Sequence, residues 1–431
     1  MPNDCNHMNR PQRRRAGLVA VLVLAAAFAA SAQDDLDALQ LQAAPAAAAA
    51  AAESNLHAYV ELAAGRVERR GGLSSQDGRR ASLDLRYAAP LGAGWRFGLS
   101  DRLDDVHPVA TGMRATTNSL REAWLGWRDA AGTWSADLGR INWRRGPAYG
   151  YNPTDYFRSG GLRAVTTLDP VTLRETRMGT GMLRVANLWA GGGATLALAP
   201  KLADGPSQGA SAVDLGATNM NDRALIGVNQ RLSQSVSAEG SLLLQRGTSA
   251  TFGASLTALL TDSVVAYGEW SSGKSRRIDD IVLATGAPAR RVQQAAVGLT
   301  WTLPTALALT LEAEYNGAGV DRAGWNAVLA GGPAAYQAYQ ALIQPGQDIG
   351  SRRAWLLYAT QKGLGLKQLD LTGFVRVNAV DHSRLAWAEL RYHWPRFDAA
   401  LQWNLASGGG STEFGVMPYR QIVQLVGVAY F

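Results

Sequence analysis

The side chains best suited to chemistry crowd one stretch, Trp143-Arg144-Arg145-Gly146-Pro147-Ala148-Tyr149-Gly150-Tyr151-Asn152-Pro153-Thr154-Asp155-Tyr156-Phe157-Arg158, with Arg163, Arg174 and Arg177 following. Only Asp155, Asp169 and Glu175 oppose that positive charge. Guanidinium groups hold carboxylates or phosphates through paired donors, and tyrosine rings can stack on sugars or planar groups. The stretch therefore reads as a place where an anion is held or passed. Two dispositions fit it equally: folded inward as a constriction, or outward as a solvated loop.

Catalytic groupings are harder to find. The histidines beyond residue 32 are His57, His107, His382 and His393. Asp381-His382-Ser383 has the composition of a triad, but neighbours on a strand or tight turn point apart, and a triad is defined in space. His107 beside Asp104 and Asp105 could hold a divalent ion, though this spacing is unspecific. No cysteine pair suits zinc, no phosphate loop joins a strand to a helix, and no nucleophile elbow occurs. The expectation is no enzyme, no metal and no cofactor, with a lipid-surface hydrolase as the least favoured reading.

Something must position the basic stretch, and the N-terminus indicates where. Arg10, Arg13, Arg14 and Arg15 precede an uncharged apolar run from Ala16 to Ala30, and Ala30-Ser31-Ala32 supplies the small residues of a cleavage site before Gln33. Residues 1–32 thus read as a Sec signal peptide, since fifteen apolar residues are too few for a membrane-spanning helix. Removing them takes four of the 42 basic and one of the 35 acidic side chains, leaving a net charge of +4. That is too mild to argue for nucleic acid. The single cysteine, Cys5, goes with the signal, so an exported chain must be stabilised without disulfides. Residues 33–55 are an alanine-rich leader expected in the periplasm.

From Leu56 onward the chain alternates. In Phe397-Asp398-Ala399-Ala400-Leu401-Gln402-Trp403-Asn404-Leu405 the odd positions are apolar and the even ones small or polar. A strand sends alternate side chains to opposite faces, so one face is apolar and one wet. Leu83, Leu85 and Tyr87 alternate likewise with Ser82, Asp84 and Arg86, and Leu309 and Leu311 with Thr310 and Glu312. The segments run longer than the five or six residues usual in soluble sheets and match a tilted membrane strand. Aromatics such as Trp95, Trp134, Trp270, Trp301, Trp394 and Tyr430 sit near segment ends, where an interfacial girdle wants them.

Eighteen such segments open near residues 56, 80, 94, 118, 133, 177, 192, 222, 235, 250, 263, 291, 305, 350, 366, 383, 396 and 420. Connections after even-numbered segments are short. Those after odd-numbered ones are mostly long (68–79, 103–117, 143–176, 201–221, 274–290, 317–349 and 407–419), the exceptions lying near Gly247 and Asp381. Outer-membrane barrels keep that parity, with short periplasmic turns and long extracellular loops, whereas a sandwich has no reason to. The expected fold over 56–431 is all-β, a closed antiparallel transmembrane barrel of about 18 strands, or sixteen if one hairpin is misread.

Two resemblances follow from particular residues. The run Gln424-Leu425-Val426-Gly427-Val428-Ala429-Tyr430-Phe431 resembles the terminal signal of outer-membrane barrels, which implies handling by the barrel-assembly machinery through Phe431. The broader chain resembles the Gram-negative porin and export-channel class, which implies outer-membrane lipid around it and leaves a homotrimer among the assemblies to test. Gly139-Arg140, Gly146 and Asn152-Pro153-Thr154-Asp155 resemble a pattern in alginate-export-type barrels, which implies an anionic polysaccharide or small acidic solute with arginines as its track. The leading expectation is passive diffusion of small hydrophilic anions, with polysaccharide export as the alternative. Candidate pore-lining residues are Arg86, Arg96, Arg184, Arg376 and Arg391 with Asp84, Glu312 and Glu389 on polar strand faces, and Arg140, Arg144, Arg145 and Arg158 around the basic stretch.

Overall fold

The structure is a computed structural model that describes residues 55–108, 115–207 and 209–431. The expected signal peptide and nearly all of the leader lie outside those residues. Eighteen strands follow in order: β1 (Leu56–Arg69), β2 (Gln76–Gly92), β3 (Trp95–His107), β4 (Thr116–Arg128), β5 (Trp134–Ile141) and β6 (Thr180–Trp189). Then come β7 (Gly192–Ala199), β8 (Arg223–Arg231), β9 (Val236–Gln245), β10 (Thr251–Thr261), β11 (Val264–Ser275) and β12 (Arg290–Thr302). The last six are β13 (Leu307–Asn316), β14 (Arg353–Gln361), β15 (Leu369–Asn378), β16 (Arg384–His393), β17 (Phe397–Ser407) and β18 (Tyr419–Tyr430).

Each strand pairs antiparallel with the next, and β18 returns to pair with β1, Tyr59 opposite Tyr430 and Arg66 opposite Val423. The ring is closed, so no edge is left to seek a partner. Eighteen strands about 4.8 Å apart and tilted by about 40° give a ring roughly 35 Å across. The short turns match the twist of the strands they join. In the β2–β3 turn Ala93 and Gly94 both take positive φ (50° and 81°), the hairpin geometry that glycine favours. A Cβ on Gly94 would also lie 2.0 Å from the Arg128 carbonyl.

The expected strand count, order and parity all hold. Strands β1, β2 and β3 run several residues further toward the long loops than the alternation suggested. Their upper turns are exposed to water on both faces, so no apolar period marks them.

Outward positions form an exposed apolar belt that includes Leu62, Leu138, Val297, Leu311, Trp355 and Leu425. So large an apolar surface suits hydrocarbon and not water. The barrel is therefore a transmembrane one. Trp95, Trp134, Trp189, Trp301, Trp394 and Tyr430 ring its short-turn end. Leu401 lies mid-belt on β17 between Leu390 and Leu425, while its neighbour Gln402 is buried on the inner face. Leu401→Arg should cost about 2–4 kcal/mol of barrel stability, as a cation facing lipid near mid-depth does. Gln402→Arg should cost little, and urea unfolding in lipid vesicles would rank the two.

Among the described residues, five helices sit in the long connections: α1 (Pro170–Thr176), α2 (Leu215–Thr218), α3 (Ile278–Val282), α4 (Arg322–Ala330) and α5 (Gly332–Gly346). Helices α3 to α5 pack around buried Trp325, Val328 and Tyr339 at the long-loop end. The inner wall is not uniformly polar. Leu356, Tyr358, Phe374, Leu385 and Trp387 face inward and form a buried cluster with Phe414 of the β17–β18 loop. Apolar side chains are stable inside a wet barrel only where a loop covers them, and these mark where the loops dock.

Candidate functional site

The basic stretch folds inward. Strand β12 contributes only Ala296 and Gly298 to the inner face at the point of contact, leaving room for a chain to lie between its taller neighbours. Those neighbours are carboxylates. Glu269 on β11 accepts hydrogen bonds from the backbone N–H groups of Ala148 (2.9 Å) and Thr154 (3.0 Å), the Thr154 hydroxyl (2.5 Å) and the Asn152 amide (3.2 Å). Glu312 on β13 accepts from the N–H groups of Tyr149 (2.8 Å), Gly150 (3.0 Å) and Tyr151 (3.0 Å). It also accepts from the Tyr267 hydroxyl at 2.6 Å. The Tyr267 ring reaches Glu312 by crossing Gly298, where a Cβ would stand 2.2 Å from the ring. Glycine is also required at Gly146, whose φ is +83° and whose Cβ would sit 2.0 Å from a Glu269 oxygen.

Two carboxylates thus collect backbone donors that the loop cannot satisfy itself, which fixes its path across the lumen. Other anchors complete the span. Arg145 pairs with Glu239 on β9 and stacks on Trp143 (4.7 Å). Tyr358 on β14 donates to Asp169, the N-cap of α1, at 3.0 Å. Arg80 on β2 donates to the Thr166 carbonyl at 3.0 Å. The outgoing and returning arms are stapled by Arg174, which donates to the carbonyls of Arg145 and Ala148, and by Arg177, which donates to Asp155 at 3.0 Å.

Burial alone would raise the Asp155 carboxyl, but Arg177 and Arg174 outweigh it and hold it below the usual carboxylate range. A carboxyl depressed on folding stabilises above its unfolded value of about 3.9 and loses that contribution as pH falls through the lower folded value. The staple therefore holds from neutral to mildly acidic pH. Arg177→Ala leaves Asp155 buried with Arg174 at 3.8 Å as its remaining ion-pair partner. Removing one partner of a buried pair costs about 3–5 kcal/mol. Because the strand ladder does not depend on it, circular dichroism should stay unchanged while protease begins to cut between residues 143 and 176.

The predicted lumen residues fall into three groups. Arg86 beside Asp84 (3.3 Å), Arg96 beside Asp137 (3.3 Å), Arg376 beside Glu314 (3.0 Å) and Arg391 beside Glu389 (2.7 Å) and Asp398 (3.3 Å) all face inward with a side open to the lumen. Arg144 lies 3.5 Å from Glu175, and both are partly open. Arg145, Arg158 and Arg184 are spent on structure. Arg158 pairs with Asp348 after α5 and donates to the Gly346 carbonyl, locking the two long loops together, and Arg184 binds Asp137 at 2.7 Å. Glu312 anchors the loop, and Asp84 is buried under Arg121 (2.6 Å) and Arg102 (3.5 Å).

Arg140 needs correction. It stands opposite Ala123 and Gly181 and shares the outward parity of Leu138. Its guanidinium is buried against the carbonyls of Gly179 (3.0 Å), Val213 and Asp214 (3.1 Å), under the β7–β8 connection at 200–222. It fastens that connection over the short strands β5 and β6 and lines no lumen. The period-two parity of β5 already contained this signal.

Sequence reading missed Glu269, Arg102 and Arg121. Glu269 shares parity with Tyr267 and Ser271, opposite to Trp270, which would have found it. The Asp381-His382-Ser383 grouping resolves as turn chemistry: the Ser383 hydroxyl donates to Asp381 (2.6 Å), whose other oxygen accepts from the Glu413 N–H (2.6 Å). His107 approaches Asp105 at 3.0 Å, while Asp104 is committed to Arg102 and Ser82. Among the described residues no three metal-ligating side chains cluster.

The fold is thus a closed eighteen-stranded transmembrane barrel with one long loop folded into its lumen. In agreement, the chain is similar in structure to OccK8 (OprE) of Pseudomonas aeruginosa, with a TM-score of 0.51 and 9% identity, over 88% of this chain and 98% of that one. OccK5 (OpdH) of the same organism gives 0.49 at 11% identity over 88% and 98%. A porin variant from Rhodopseudomonas blastica gives 0.42 at 10% identity over 87% and 99%. No protein-family model and no curated protein matches the chain.

Proposed function

We propose that this chain is an outer-membrane channel through which small hydrophilic anions diffuse passively, with its short turns in the periplasm and its long loops outside. One observation supports the sign of the selectivity. In three pairs on the inner wall the guanidinium is the open partner and the carboxylate the covered one: 47% against 0% exposed for Arg86 and Asp84, 42% against 3% for Arg96 and Asp137, and 22% against 0% for Arg376 and Glu314, while Arg145 and Arg158 are the more covered members of their pairs with Glu239 and Asp348. A solute passing the wall meets the cation, while the anion that balances it is shielded. The net charge of such a pair is zero, but its near field is positive. Arg144 at the loop and Arg391 lower on the wall continue the same track, but their partners Glu175 and Glu389 are nearly as open as they are, 28% against 30% and 13% against 19%.

Between the loop's returning arm and α5 lies a cavity of about 350 Å³ lined by Leu168, Arg174, Phe374, Arg376 and Tyr419 among others, room for a small molecule. The test is reversal potential across planar bilayers in a salt gradient. The expected result is a potential of the sign set by chloride; a potential set by potassium overturns the anion reading.

A further inference from the structure

The ring is closed but not of even height. Strand β4 ladders with β3 along Thr116 to Trp127, yet with β5 only from Ala123 to Arg128. Strand β5 stops at Ile141 and β7 at Ala199, each after 8 residues. A strand of that length tilted by about 40° rises roughly 18 Å, short of the apolar band about 25 Å tall that such a barrel presents to lipid. The wall therefore has a notch at membrane depth, beside the upper half of β4.

Its stopper is the stretch from Gly209 to Asn219, which is irregular apart from α2. The Ala210 carbonyl accepts from the Asn118 N–H of β4 at 2.8 Å. Arg140 donates to the carbonyls of Val213 and Asp214, and Arg163 to those of Gly209 and Ala212. Asn219 fixes the far end by donating to the carbonyls of Gly181 (2.8 Å) and Pro200 (2.9 Å). Irregular backbone at this depth persists only where protein covers it or a cavity adjoins it. Here a single main-chain bond to β4 and two arginines hold it, and not a ladder, so the stopper can swing out about Asn219.

The notch is apolar on both sides. Outside it lies a recess of about 940 Å³, lined chiefly by Leu138, Leu183, Leu198, Leu202, Val213 and Leu244. At the upper rim of that recess Asp222 and Arg246 pair at 3.2 Å, so polar groups stand at one end and carbon at the other, the layout of an amphiphile. On the lumen side Ile141, Met182 and Leu225 pack against Phe157 of the inward loop. That loop also touches the stopper: Gly160 has φ +76°, and a Cβ there would stand 1.8 Å from the Ala217 carbonyl oxygen.

We propose that the notch is a side port, through which the alkyl tail of a single-chain amphiphile passes between the lumen and the hydrocarbon of the membrane, with the outer recess as its binding site. A hydrated ion or sugar would be stripped of its water on this path, whereas an alkyl tail loses nothing by leaving water. This is a second path for a second class of solute, and it stands or falls apart from the ion selectivity of the axial pore.

The test uses intact Gram-negative cells that lack their own amphiphile channels and reads uptake of radiolabelled palmitate. The wild-type chain should raise uptake severalfold over empty vector. Asn118→Cys with Ala210→Cys places two thiols where β4 meets the stopper, and Cys5 is the only natural cysteine. Oxidation should lower uptake to the vector level, and dithiothreitol should restore it. Chloride conductance in planar bilayers should keep its wild-type value in both states, because the lock spares the axial pore. Should the thiols fail to join, Ala224→Trp fills the recess from β8 and should lower uptake in the same way. Wild-type uptake at the vector level overturns the proposal, as does full uptake by the locked or the filled chain. Loss of conductance together with uptake also overturns it, because the tail would then share the axial path.

Discussion

Replacing both Glu269 and Glu312 with alanine should raise single-channel conductance at least twofold and make the open state noisier. Between them these carboxylates accept eight hydrogen bonds, five of them from backbone N–H groups of residues 148–154. A hydrogen bond to a charged acceptor contributes about 1.5–3 kcal/mol, and donors left buried without partners cost about 1–3 kcal/mol each. Even with strong non-additivity, that exceeds the roughly 1.4 kcal/mol that shifts a conformational equilibrium tenfold. The loop would leave the lumen instead of leaving its donors unpaired. Glu312→Ala alone should give a smaller rise, because Glu269 still holds Ala148 and Thr154. Glu312→Gln, which keeps one carbonyl acceptor, should fall between the wild type and Glu312→Ala. The ladder of the eighteen strands does not pass through either side chain, so heat-modifiable gel migration should be unchanged. A double variant with wild-type conductance would mean that the loop does not limit the path.

Neutralising the open cations should have the second large effect. With Arg86, Arg96, Arg376 and Arg391 all changed to glutamine, the reversal potential in a salt gradient should change sign. A unit charge about 8 Å from a permeating ion contributes about 0.5 kcal/mol in water. Four give about 2 kcal/mol before screening, so the anion-to-cation ratio should drop about tenfold at low salt and less at high salt. The change is larger than simple deletion of charge because covered carboxylates are uncovered. Folding should survive. Asp84 keeps Arg102 and Arg121, Asp137 keeps Arg184, and Asp398 keeps His393 at 2.9 Å and the Tyr430 hydroxyl at 2.7 Å. Glu314 and Glu389 each lose their one close cation, which makes Arg376 and Arg391 the positions to restore first. Unchanged selectivity in the fourfold variant would remove these residues from the path.

Much of this architecture was legible in the chain itself. Period-two alternation is a consequence of strand geometry at each residue, so it marks strands such as β17 without reference to partners. The hairpin turns are equally local, and their lengths alternate because each strand must cross and return. Together these fix strand number, order and which side chains face inward. Exceptions arise where local rules are silent. The upper parts of β1 to β3 lack an apolar period because water meets both faces, and Phe374 and Trp387 break the polar inner face because a loop covers them.

What the sequence could not decide is the fate of the basic stretch and the division of labour among its arginines. Gly150 and Tyr151 bond to a carboxylate more than 160 positions further along the chain. No spacing rule reaches that distance, because the approach depends on which strands the closed ring sets across from one another. The same holds for Arg158, which meets Asp348 190 positions away. Period and turn length are properties of neighbours along the chain and are settled before the ring closes. Which cations are spent on holding loops, and which stay open to the lumen, is settled only when distant side chains compete for the same carboxylates.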